Sequence, residues 1–240
     1  MEEKMKKNLG LILAVLLIST QAFGYSISFS DNMTVWNGWG TAEENSRDTI
    51  GIPDFTGGNV NIENGKLTSV TFQYTGPQTW APLLWSVLVP GDLFIDINAD
   101  KTWDWVVRPD VGNARLYSVS LPLNSQSGYV LSNTAWTAPG YNIRDNHPVF
   151  ANNMTGSGTL VGFDGWKALT ASGAPFSSTF SGLNIDINSP FIIGWTVNCS
   201  NDVVYEQINP VPEPSTMLLL SSGLVGLWGV RKRRRGHKNP

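Results

Sequence analysis

The chain has 240 residues, 19 acidic and 16 basic, for a net charge of −3. Between Tyr25 and Asn209 there are 16 Asp/Glu and 7 Lys/Arg, a balance of 7 − 16 = −9. That balance excludes nucleic acid as a partner, since a phosphate backbone demands a basic face, and it suits a cation-rich extracellular setting. The single cysteine, Cys199, excludes an internal disulfide.

The first residues, "MEEKMKKNLGLILAVLLISTQAFG", place Lys4, Lys6 and Lys7 ahead of an apolar run from Leu9 to Ile18. Ala22 and Gly24 follow as small residues at −3 and −1 of a cut before Tyr25. This is the order of a secretory signal peptide, so 1–24 is expected to form a signal helix handled by the Sec export machinery. The apolar run falls short of the roughly 20 residues of a membrane span. The mature domain is expected over 25–209.

Within that domain the predicted elements are strands. The segment 31–65 has weak periodicity and is expected to be rich in loops. In "KLTSVTFQY", Val70, Phe72 and Tyr74 alternate with Ser69, Thr71 and Gln73. "GDLFIDI" and "WDWVV" also read as strands. In "RLYSVSL", Tyr117, Val119 and Leu121 alternate with Leu116, Ser118 and Ser120. In "SPFIIGWTVNCS", Phe191, Ile193, Trp195, Val197 and Cys199 share one side. Gly, Pro and Asn clusters such as "IENGK" and "NSQSG" divide the runs as turns. With no βαβ alternation, the expectation is an all-β fold, an antiparallel β-sandwich or jelly roll.

Four places in the domain carry possible chemistry. Trp36 and Trp39 stand in "WNGWGT", a Gly-rich stretch. They either stack on sugar rings, using their amphipathic faces, or pack inside. Asp96, Asn98, Asp100 and Asp104 in "DINADKTWD" fall at positions 1, 3, 5 and 9 of a calcium-loop pattern. Position 6 is Lys101 where such loops need Gly, and Val107 stands where an EF-hand has Glu. The alternative is a polar hairpin turn whose Asp and Asn cap backbone groups. His147 is open to a structural or a catalytic role, but no nucleophile elbow or zinc-binding histidine pair accompanies it. Cys199 reads as a small buried apolar residue, with intermolecular pairing or a catalytic thiol as the alternatives.

The end of the chain, "PVPEPSTMLLLSSGLVGLWGVRKRRRGHKNP", joins three features in order. Pro212, Glu213 and Pro214 come first. A 14-residue apolar run over 217–230 follows, with three glycines inside it. As a helix it would span about 21 Å, short of the roughly 30 Å hydrocarbon core. Arg231, Lys232, Arg233, Arg234 and Arg235 then form a stop that the positive-inside rule keeps in the cytoplasm. A single span so short suits transient membrane insertion better than permanent anchoring.

This order over 210–236 resembles the PEP-CTERM sorting signal of exosortase-dependent bacterial proteins. The resemblance implies that a membrane-embedded exosortase recognises Pro212, Glu213 and Pro214, cleaves near them and discards the transmembrane helix. An inner-membrane intermediate would then pass to the cell surface or extracellular matrix. In the body, "GDLFIDINADKTWDWVV", "NHPVF" and "GWTVNCSNDVVYEQI" resemble blocks of a group of exosortase-dependent surface proteins, the XDD group. Trp105 replaces that group's Tyr and Glu206 its Gly. No activity comes with this resemblance. The expected function is therefore a non-enzymatic surface or matrix protein, structural or adhesive with extracellular polysaccharide. A calcium-assisted carbohydrate-binding module and a secreted glycoside-active enzyme are the alternatives.

Overall fold

The computed structural model describes residues 24–33, 36–39, 53–75, 89–110, 112–132, 144, 146–165, 176–187, 190–210 and 223. The chain divides into two compact units, 1–209 and 210–240. The expected signal helix, the Pro212–Glu213–Pro214 motif and the basic stop lie outside the described residues, as does the apolar run apart from Gly223. Among the described residues no helix is long and apolar enough to cross a membrane.

The first unit is built of strands: β1 (Gly24–Phe29), β2 (Asp54–Glu63), β3 (Lys66–Thr75), β4 (Leu93–Asp96), β5 (Thr102–Asp110), β6 (Asn113–Pro122), β7 (Tyr129–Leu131), β8 (Pro148–Ala151), β9 (Thr159–Asp164), β10 (Phe176–Asp186), β11 (Phe191–Thr196) and β12 (Val203–Ile208). β1 takes up the chain one residue ahead of the expected cut. Ten strands form one antiparallel sheet in the order β1-β2-β3-β10-β9-β6-β5-β4-β11-β12, and β7 pairs with β8 as a separate hairpin. The all-β, antiparallel expectation holds. Two separate sheets do not: the sheet is continuous and curls into a nearly closed barrel. Its two five-strand halves join only where β6 meets β9, over Ala114↔Val161, Arg115↔Leu160 and Leu116↔Thr159. The end strands β1 and β12 come back into contact with each other.

The alternation seen in the sequence places the core. Leu67, Val70, Phe72 and Tyr74 of β3 face inward, as do Phe191, Ile193, Trp195 and Val197 from the β11 segment. Trp195 is the hub, with its ring 4.5 Å from Phe72, 5.1 Å from Phe55 and 5.7 Å from Phe180. Its indole N–H donates to the Gly91 carbonyl at 3.0 Å. Asn64 (φ 53°) and Gly65 (φ 71°) make the left-handed two-residue turn that joins β2 to β3, as "ENG" forecast.

The loop-rich reading of 31–65 is corrected by β2. Its periodicity is hidden by Gly57 and Gly58, where the register shifts between Phe55 and Gly57. A Cβ at Gly57 would lie 2.2 Å from the Phe29 carbonyl oxygen, and one at Gly58 would lie 1.9 Å from that of Thr71. Neighbouring backbones pass too closely for a side chain, so a bulge and two glycines interrupt the hydrophobic pattern.

Strands β4 and β11 are buried along their whole length, and β12 along all but Gln207. Their outer faces are covered by a second apolar cluster of Trp36, Trp39, Phe94, Trp103, Val106, Leu123, Tyr129, Ala151, Ile192, Val203 and Tyr205. The segment 36–39 and the β7–β8 hairpin supply the covering layer.

Candidate functional site

The aspartate-rich segment is the turn from β4 to β5. Asp96, at the end of β4, is 1% exposed. Its Oδ1 accepts the N–H groups of Asn98 (3.2 Å) and Asp100 (3.3 Å), and its Oδ2 accepts that of Lys101 (2.8 Å). Asn98 Oδ1 accepts the Asp100 N–H at 3.1 Å, and the Asn98 amide donates to Asp100 Oδ2 at 3.1 Å. Asp100 Oδ1 accepts the N–H of Thr102 at 2.9 Å, and Asp104 Oδ2 that of Ile97 at 2.9 Å. These bonds hold Ala99 (φ 57°) and Lys101 (φ 71°) in left-handed backbone that Gly would adopt without strain. Burial pushes the Asp104 carboxyl above its ordinary range; the Asp96 and Asp100 charges push the same way, against the Ile97 N–H.

The four candidate calcium ligands are thus brought together, but as a self-capped hairpin turn. Three of the roughly four lone-pair positions of Asp96 already receive backbone N–H groups. Among the described residues no group of three or more His, Cys, Asp or Glu is placed to hold a metal ion. The geometry is that of the polar hairpin turn, with Asp and Asn side chains capping backbone N–H groups.

Trp36 and Trp39 are 0% and 4% exposed, which removes them as sugar-stacking platforms. The Trp36 indole N–H donates to the Val204 carbonyl at 3.2 Å, and that of Trp39 to the Leu123 carbonyl at 3.0 Å. Trp36 meets Phe94 edge-on at 5.1 Å and Trp103 at 5.4 Å; Trp39 meets Tyr129 edge-on at 5.4 Å. Gly194 opens the space for this. A Cβ there would approach Trp36 to 2.9 Å and Trp103 to 3.0 Å. Of the two alternatives for these indoles, packing inside is the one these contacts fit; Gly38 between them has left-handed backbone (φ 87°), and a Cβ there would lie 2.7 Å from Asn124 Oδ1.

Sequence reasoning missed one polar cluster altogether. Asp92 is fully buried and receives Arg108 in a two-pronged pair, Nε to Oδ1 at 3.0 Å and a terminal nitrogen to Oδ2 at 2.7 Å. The same guanidinium donates to the Ala151 carbonyl at 2.8 Å, while the Ala151 N–H donates to Asp92 Oδ2 at 2.8 Å. The Asp92 N–H donates to the Val149 carbonyl at 2.9 Å. Burial lowers the basicity of Arg108, but the hydrogen bond and charge of Asp92 outweigh it and raise the pKa. The pair fastens the β7–β8 hairpin to β4 and β5. The one hint was an acid at the head of an apolar strand and an Arg inside the next, which 16 acids in the domain made easy to overlook.

His147 is fully buried. Its N–H donates to Ser132 Oγ at 3.0 Å, its carbonyl accepts the Ser132 N–H at 2.8 Å, and Ser132 Oγ donates to the Arg144 carbonyl. These backbone bonds fit the structural role. Cys199 is 5% exposed, with its thiol pushed up to about 11 by burial, as the small apolar reading expects.

The last strand is fixed independently of its ladder to β11. Asp202, just before β12, accepts the Phe55 N–H on Oδ2 at 2.5 Å and the Val203 N–H on Oδ1 at 2.9 Å. Asn201 donates to the Pro53 carbonyl at 3.3 Å. Glu206 accepts the Asn32 N–H at 2.9 Å; burial raises its pKa and that N–H opposes the rise. Trp36 caps the Val204 carbonyl of β12, and the side chains of Asn201, Asp202 and Glu206 tie the strand and its approach to residues 32, 53 and 55.

β12 ends at Ile208, and the match to a family model begins two residues later. Residues 210–235 match the model described as the PEP-CTERM protein-sorting motif. The chain carries a PEP-CTERM sorting signal. Such a signal implies exosortase-dependent export through the membrane to the cell surface. Comparison with curated proteins gives no match. Comparison with solved structures gives none either.

Proposed function

We propose that the chain is a non-catalytic surface or matrix protein. It enters the membrane by an N-terminal Sec signal, is processed by exosortase at its PEP-CTERM tail, and takes a structural or adhesive place in extracellular polysaccharide. The match at 210–235 carries this reading. The acidic domain supports it, since an acidic surface is at home outside the cell. The buried carboxylates support it too: Asp92, Asp96 and Asp202 each hold backbone N–H groups or an arginine, so their acceptor capacity goes into architecture. Glycoside hydrolysis needs a pair of carboxyls about 5–10 Å apart facing a sugar. The burial of Trp36 and Trp39 and the backbone N–H groups taken up by the aspartate loop favour the structural or adhesive reading over a carbohydrate-binding module.

The test is cell fractionation with and without the exosortase, combined with measurement of the polysaccharide retained by cells lacking this protein. With the enzyme the domain is expected in the surface or matrix fraction, and without it at the inner membrane. Loss of the protein is expected to loosen the polysaccharide layer. An unchanged distribution contradicts the sorting route; an unchanged layer contradicts the structural role.

A further inference from the structure

β12 is both the closing strand of the barrel and the strand that leads into the sorting signal. Only Asn209, Pro210 and Val211 separate Ile208 from Pro212. Three residues of extended chain reach about 10 Å. Upstream of them, Tyr205 is 5%, Glu206 8% and Ile208 2% exposed. Enzymes that act on peptides commonly take the chain in extended form, using its backbone hydrogen bonds and alternate side chains. Here the residues just before the motif already serve as a strand. Ile208 pairs with Phe191 and Glu206 with Ile193. The Val204 carbonyl is capped by the Trp36 indole, and Glu206 is bonded to the Asn32 N–H.

We propose that the folded domain regulates its own sorting. Docking of β12 into the barrel withholds the upstream side of the PEP-CTERM motif, so processing competes with closure of the barrel. Cleavage then follows the population in which the end of β12 is undocked. The barrel's stability sets how long the membrane-held intermediate lasts. This inference rests on the exosortase reading above and adds the strand that governs its rate.

The full-length chain, co-expressed with an exosortase that processes it, is followed by pulse-chase and mass spectrometry. One form carries a spacer of about eight Gly and Ser residues after Asn209. A second carries Asp202→Asn, which weakens the Phe55 staple. A third carries both changes. Limited proteolysis reports whether the barrel is folded in each. The spacer form is expected to be processed at least about threefold faster with its barrel intact, because cleavage no longer draws on a transiently opened state. Asp202→Asn alone is expected to speed processing, and to add little once the spacer is present. Equal rates for the wild-type and spacer forms, or slower processing with the spacer, overturn the inference while leaving the sorting route standing. Absence of processed product from every form overturns both.

Discussion

The two faces of β11 carry equally buried residues that arrive by different routes. The inner face, Phe191, Ile193 and Trp195, meets strands from both halves of the sheet and fills the barrel. The outer face, Ile192 and the space over Gly194, is covered by Trp36 and Trp103, with Phe94 and Tyr205 beside them. The inner layer follows from strand alternation. The outer layer depends on a short segment more than 150 residues earlier in the chain (194 − 36 = 158) folding back over the sheet. An apolar strand with both faces buried therefore signals a second layer, and aromatics in a Gly-rich stretch are candidates to supply it.

Truncating one indole on each face of β11 has the largest expected effect. Trp195→Ala and Trp36→Ala are each expected to cost about 3–5 kcal/mol in denaturant unfolding, since each removes a large buried ring and an indole hydrogen bond. A ligand platform at Trp36 would instead give a near-zero cost. Asp92→Ala comes next, at about 2–3 kcal/mol. It leaves the Ala151 N–H without an acceptor and Arg108 without its partner, though Arg108 keeps access to water. Limited proteolysis is expected to open the β7–β8 hairpin first in this variant, while the barrel resists.

A smaller effect is set by pH. Glu206 and Asp104 have folded pKa values raised above the ordinary carboxylate range, with burial the largest cause in both. The native state then holds these protons more tightly than the unfolded chain. Their stabilisation is full below the unfolded values near ~4 and is lost as pH rises through the raised folded values. Thermal unfolding is therefore expected at a higher temperature at pH 5 than at pH 7. Glu206→Gln, which keeps an oxygen for the Asn32 N–H, is expected to flatten this dependence. The smallest expected effect is that of calcium. At millimolar concentration it should leave the melting temperature within about 1 °C, since a ligand stabilises only when it binds the native state. A rise of several degrees would return the aspartate loop to metal chemistry.

The sequence revealed the fold wherever side chains obeyed a local period. β3, β4, β5, β6 and β11 were legible because alternation needs only the strand itself, and the Asn64–Gly65 turn because its backbone demands those residues. β2 was hidden because its glycines answer to the backbones of Phe29 and Thr71, which are remote in sequence. The closure of one sheet, rather than the stacking of two, turns on three residue pairs between β6 and β9 that no local pattern marks. The sorting signal was legible as a linear motif. The Asp92–Arg108 pair and the staples on β12 were not, because the identity of a buried partner depends on the fold.

The most direct measurement is the intact mass and terminal sequence of the protein recovered from the cell surface. A mature form that begins near Tyr25 and lacks Arg231, Lys232, Arg233, Arg234 and Arg235 is the expected result. A surface form that still bears those five residues would contradict exosortase sorting of this chain.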